Sequence, residues 1–226
     1  MRMLGVFEKS MRIRHIGHLD IQRCVQRGLR RSNLPVAYSK GFNPHILVTF
    51  ASALSTGACG KREIMDVTLE EPVDETTFLQ RLNEAMPPEM QFSEAIAVDD
   101  RHPALMASLK AAVYDLTVYD DQLADAMIRA IPSMLFRESI PALRKTKSGI
   151  RECDIKPLIY QLAGEGNHIH CTVALTEKEA CKPDMLCRAL ATEAGIPEQT
   201  EIRMLITRDA LLGEDQQGCL CPLERI

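Results

Sequence analysis

A chain of 226 residues, 46% hydrophobic and 26% charged, has room for one large domain or two small ones and needs no covalent staple to hold a core. Its net charge of −4 excludes a general polycation, and 4% aromatic residues with no Trp argue against a surface that binds mainly by stacking bases. The start of the chain shows no signal-peptide apolar segment, and no apolar run approaches the ~20 residues of a membrane span. Cys24, Cys59, Cys153, Cys171, Cys181, Cys187, Cys219 and Cys221 are therefore expected as reduced thiols of a cytoplasmic protein. Cys219-Leu-Cys221 is the one close pair and lacks a second pair at zinc-ribbon spacing.

Alternation marked by Val6, Met11 and Ile13 predicts a strand over 4–14. Leu19, Cys24, Val25 and Leu29 fall near the helical period and predict a helix over 19–32, ended by Asn33-Leu34-Pro35, since the residue before proline resists the α region. Strands follow at 46–53 and 61–69. Asp74 caps a helix that runs to about 85, Pro87-Pro88 stop it, and 91–98 is a strand. This β-α-β-β-α-β order is the ferredoxin-like pattern. Residues 99–103 are polar, contain Pro103 and mark a boundary. Beyond it a strand at 111–119 and a helix at 121–133 are expected, then an extra strand and basic loop within 135–147. A hairpin of 152–162 and 168–175 around Gly164–Asn167, a helix at 182–194 with Pro183 in its first turn and a strand at 201–207 complete the second half. The expected architecture is α+β: two tandem ferredoxin-like halves, 1–99 and 104–211, packed side by side, with a flexible tail at 212–226. The halves share element order and not residue identity.

Charge is concentrated near the amino terminus. Between Met1 and Leu47 there are nine cations and only two carboxylates, Glu8 and Asp20. Arg23, Arg27, Arg30 and Arg31 fall on one face of the first predicted helix, where solvent, acidic groups elsewhere in the fold or a phosphate backbone could screen them. The segment Tyr38-Ser-Lys40-Gly41-Phe42-Asn43-Pro44-His45 could cradle a phosphate beside a ring face; the alternative is a plain turn whose Phe42 plugs the core. Arg144, Lys145, Lys147 and Arg151 form a second basic segment, either solvated or a second phosphate contact. His15 and His18 could serve as base and acid in cleavage through a ribose 2′-hydroxyl, or simply shape a helix entry; with Asp20 and His45 they could also ring a metal. His168 and His170 share a strand face and read as a surface or core pair.

The string His18-Leu-Asp20, the arginines after it, Leu34-Pro35 and Tyr38 to His45 resemble the radical-SAM-associated (radical-SAM-linked) protein family, a domain of unknown function. Lys145-Thr-Lys-Ser-Gly149 and Asp154-Ile-Lys-Pro157 resemble its second block, and the likeness runs to about residue 210. Gly17 stands where the family often has Ser, and Lys40 where it often has Gln. Members lie beside or fused to radical-SAM proteins with a cobalamin-binding-like domain and near ribosome and ribonuclease genes. The resemblance implies an accessory factor in RNA or ribosome-linked modification, with RNA (tRNA or rRNA) and the radical-SAM protein as partners. The chain has no Cys-x3-Cys-x2-Cys cluster motif, so it is not itself the radical enzyme, and no cofactor is expected. At fold level alone the tandem arrangement is similar to the CRISPR repeat-processing endoribonucleases, which transmits no activity. Three readings follow: an RNA-binding accessory protein, a metal-independent endoribonuclease using His15 and His18, and a protein-only adaptor.

Overall fold

A computed structural model describes residues 1–146 and 149–226. The chain divides into two compact units, the first made of 1–109 and 210–226, the second of 110–209. Both are α+β.

In chain order the elements of the first unit are β1 (Arg2–Lys9), α1 (His18–Arg31), β2 (Val48–Phe50), β3 (Cys59–Thr68), α2 (Glu75–Ala85), β4 (Phe92–Val98) and a short α3 (Leu105–Ser108). The strands stand in the order β4-β1-β3-β2, each antiparallel to its neighbour. With α1 and α2 this is the expected βαββαβ arrangement. Met3 and Phe7 of β1 and Met65 and Val67 of β3 meet Ile21, Val25 and Leu29 of α1 and Phe78 and Leu82 of α2 in one core. Phe7 packs edge-on against Phe50 at 6.0 Å between ring centroids and lies tilted against Phe92 at 5.3 Å.

α1 turns its apolar stripe inward at spacings of four, three and one: Ile21, Val25, Gly28 and Leu29 are buried. Leu19, expected on that stripe, is 64% exposed. Gly28 sits against the end of α2, where an added Cβ would lie 2.3 Å from Met86 Sδ. The helix ends as Asn33 enters the left-handed region at φ 54°. Asp74 caps α2 as expected, accepting a hydrogen bond from the Thr77 N–H at 2.9 Å.

The second unit continues with β5 (Ala111–Val118), α4 (Asp121–Phe136), β6 (Pro141–Thr146), β7 (Gly149–Asp154), β8 (Ile159–Glu165), β9 (His168–Ala174), α5 (Pro183–Glu193) and β10 (Met204–Glu214), whose last residues, from Ala210, belong to the first unit. Its strand order, β10-β5-β9-β8, repeats that of the first unit. β6 and β7 form a separate two-stranded ribbon between α4 and β8.

Four expectations need correction. The first strand ends at Lys9, not 14: the pairing shifts between Phe7 and Lys9, and Met11–Ile13 coil into a 3-10 turn. The strand expected over 152–162 is two strands, because the Asp154 carboxylate accepts from the N–H groups of Ile140 and Lys156 and a 3-10 turn with Pro157 follows. The first unit extends past 99–103 to Leu109, since Leu105 and Leu109 are buried. Residues 212–226 are not a loose tail: β11 (Leu220–Pro222) pairs with β10, Leu223 is fully buried, and Glu224 reaches Arg62.

Candidate functional site

Arg23, Arg27, Arg30 and Arg31 occupy about 100° of arc on the outer face of α1, opposite its buried stripe, and all four are exposed. Their surroundings differ. Arg23 pairs with Asp20 at 2.9 Å, with both side chains more than 60% exposed. Arg31 donates to the Ala85 carbonyl at 2.7 Å, a cation at the carbonyl-rich end of α2. Arg27 and Arg30 have no hydrogen-bond or ion-pair partner among the described residues. Beside α1 lies an open groove of about 540 Å³. Arg23, Arg27 and Arg31 line one wall with Asp20 and Cys24, and Ala85–Pro87 form the other. Arg30, on the same helix face, does not line it. Three guanidiniums and one carboxylate around an open groove favour an anion with several oxygens, since each planar fork can hold two of them.

Other amino-terminal cations are already engaged. Arg2 pairs with Asp66, Arg12 approaches Glu89 at 3.8 Å, Arg14 donates to the Met11 carbonyl, and Lys9 is buried and donates to the Ser55 carbonyl. The excess read from the sequence is thus partly engaged inside the unit, and α1 and Lys40 carry what remains open among the described residues.

The chain after α1 returns to the end of the sheet where β1 begins. Val36 bridges to Leu69, whose N–H donates to the Met1 carbonyl. The next loop is closed at its base. Tyr38 bridges to Ile46, the Ser39 N–H donates to the His45 carbonyl at 2.8 Å, and the His45 N–H donates to Ser39 Oγ at 3.1 Å. Ser39 Oγ also lies 2.8 Å from His45 Nδ1. Lys40, Gly41, Phe42 and Asn43 project beyond that clasp, all exposed, and Tyr38 is 42% exposed. Gly41 has φ +136° with open space around it, a backbone state that favours glycine. Phe42 does not plug the core: its relative exposure is 106%.

His15 is exposed, and His18 packs edge-on against Phe50 at 5.5 Å. Neither lines the arginine groove. His45 lies at the Arg2 end of the sheet, because Val48 and Met3 share the partner Val67, whereas His15 follows the Lys9 end. Those ends are roughly 23 Å apart, so His45 cannot share an ion with His15, His18 and Asp20. Among the described residues no group of three or more His, Cys, Asp or Glu side chains could hold a metal.

In the second unit Arg144 and Arg151 stand directly opposite each other on the β6–β7 ribbon, and neither has a counter-charge among the described residues. Lys145 belongs to β6 by its backbone, facing Ile150; Lys147 lies outside the described residues. Leu143 and Ile150 on the same ribbon are 62% and 69% exposed. Elsewhere the sheet register assembles a cluster that sequence spacing could only half supply: Asp115 is 2.9 Å from His168 Nδ1 and 3.7 Å from His170 Nδ1, and the two rings stack at 5.9 Å.

The profile of a bacterial family described as "uncharacterized protein conserved in bacteria (DUF2344)" matches residues 2–183, which takes in α1, the Tyr38–His45 loop and the β6–β7 ribbon. The chain belongs to this family. Among curated proteins none matches this DUF2344 chain. No helix in the described residues of the DUF2344 chain is long and apolar enough to cross a membrane.

Proposed function

We propose that the chain is a non-catalytic RNA-binding accessory protein that serves a radical-SAM enzyme in RNA or ribosome-linked modification. The radical-SAM part rests on the sequence resemblance. The RNA part rests chiefly on Arg27 and Arg30, fully available guanidiniums beside a groove that two further arginines line. A backbone phosphate satisfies such groups without needing base contacts, so the α1 face positions an RNA rather than reads its sequence. Arg144 and Arg151 would hold phosphates in the same way on their own ribbon.

The test is a filter-binding titration of a tRNA or rRNA fragment over a range of salt. Affinity falls steeply with salt, and Arg27→Ala or Arg30→Ala each lowers the slope of log K against log salt by about 0.7–0.9, one phosphate's share. RNA binding that is absent, or indifferent to salt, overturns the proposal.

A second reading, a protein-only adaptor, draws on the exposed Leu143 and Ile150 beside Arg144 and Arg151, a mixture suited to an acidic protein surface. It requires retention of the radical-SAM protein in a pulldown after nuclease treatment, with no RNA bound by the chain alone.

A further inference from the structure

We infer that Phe42 is a base-stacking wedge and that the RNA bound by this protein presents an unpaired nucleotide to it. The inference rests on the RNA-binding reading above and adds to it the class of RNA.

Three observations carry it. First, a phenyl ring at 106% relative exposure buries nothing of its own, so the fold gains no core packing from it. Second, the loop is built to hold the ring out. Ser39 and His45 tie the base of the loop with two backbone N–H donations and a side-chain contact, and Tyr38 pairs with Ile46 below them. Gly41, with its positive φ, turns the chain immediately before the ring. An aromatic held this way loses little freedom when a partner covers it. Third, its neighbours match a nucleotide. Lys40, exposed and without a partner among the described residues, offers a cation two residues away, and Tyr38 offers a second, half-exposed ring. An unpaired base has a free π face and a phosphate on each side, whereas the bases of an intact duplex are already stacked. α1 ends at the same end of the sheet, so backbone contacts to Arg30 and Arg31 and a stacked base on Phe42 call on one end of the unit.

The absence of Trp from the chain gives a direct probe, because Phe42→Trp introduces the sole tryptophan. Two RNAs are compared with the full chain: a blunt-ended duplex of two strands with no loop, and the same duplex with a single-stranded 3′ tail. The tailed RNA is expected to quench the Trp emission saturably, and the blunt one to leave it unchanged. Phe42→Ala is expected to weaken binding of the tailed RNA about 5- to 100-fold while leaving the salt slope intact. Because Phe42 is outside the core, the variant keeps its circular dichroism and melting temperature. If Phe42→Ala binds both RNAs as the parent chain does, with the salt slope still present, the wedge is wrong and the backbone reading stands. If neither RNA binds any form of the protein, both fall. A Trp emission that responds to the purified radical-SAM partner and not to RNA reassigns the ring to a protein contact and also overturns the inference.

Discussion

Cys24 stands one residue from Arg23 and three from Arg27, half-buried in the wall of the arginine groove. A thiol so placed reports on occupancy. Mass-spectrometric mapping of iodoacetamide labelling should show Cys24 modified in the free protein and protected when RNA is bound, while the exposed Cys219 is labelled equally in both. Cys171, Cys181 and Cys187 should resist until the chain unfolds, since burial pushes Cys171 and Cys181 up to about 12 and Cys187 to about 11, and the thiolate is the reactive form. Labelling of Cys24 that RNA does not change would remove the groove from the interface. At this scale the sequence was uneven. The arginine face was legible because helical spacing alone decides which residues share a side. The exposure of Phe42 was not, because an aromatic in a Gly- and Pro-rich loop fits a core plug as well as a projecting ring. Asp115 beside His168 and His170 was not either, because cross-strand neighbours depend on a register that no local pattern states.

The β6–β7 ribbon sets stability against binding. Arg144 faces Arg151 across the ladder, and like charges directly opposite destabilise a strand pair. Arg151→Glu turns repulsion into attraction and should stabilise the second unit by about 0.2–1 kcal/mol in denaturant melts. The same variant should bind RNA more weakly, since it removes a cation and adds an anion. A variant that loses stability, or keeps its RNA affinity, would argue that the pair is scaffold and not a contact. The ribbon itself was only partly legible. The sequence places a basic loop after an extra strand within 135–147, yet its pattern runs β7 into β8 as one strand over 152–162 although Pro157 stands between them; the break comes from the Asp154 carboxylate capturing two N–H groups. α1 and α2 are legible in the sequence because each has a decisive stop: Asn33 before Leu34-Pro35, and Pro87-Pro88. Gly28 shows what periodicity misses. It appears as a flaw within a helix, and its value lies in letting Met86 approach; Gly28→Val should cost about 1–3 kcal/mol in a thermal or denaturant melt by overpacking that contact.

Across the whole molecule the first unit is discontinuous, and its closing segment is held by charge as well as by Leu223. Arg62 donates to Glu94 at 2.7 Å and to Glu224 at 2.5 Å, and Arg225 reaches Glu94 from the closing segment itself. Glu94 is held below the usual carboxylate range, first by the hydrogen bond from Arg62 and further by the charges of Arg225 and Arg62. A carboxylate whose folded value is depressed stabilises the fold above its unfolded value of about 4.3, and that contribution disappears as pH falls through the lower folded value. The closing segment should therefore be secure at neutral pH and fray below about pH 4, with faster hydrogen exchange in 212–226 than in the core strands β1 and β3. Glu94→Gln should loosen the segment at neutral pH by about 1–2 kcal/mol and remove the part of its response to acid that Glu94 supplies, while the Arg62–Glu224 pair remains. Leu223 packing should keep the segment from detaching altogether. If exchange in 212–226 is the same in Glu94→Gln and in the parent chain from pH 7 down to pH 3, the charge cluster does not hold the segment, and Leu223 and the β10–β11 pairing account for its order.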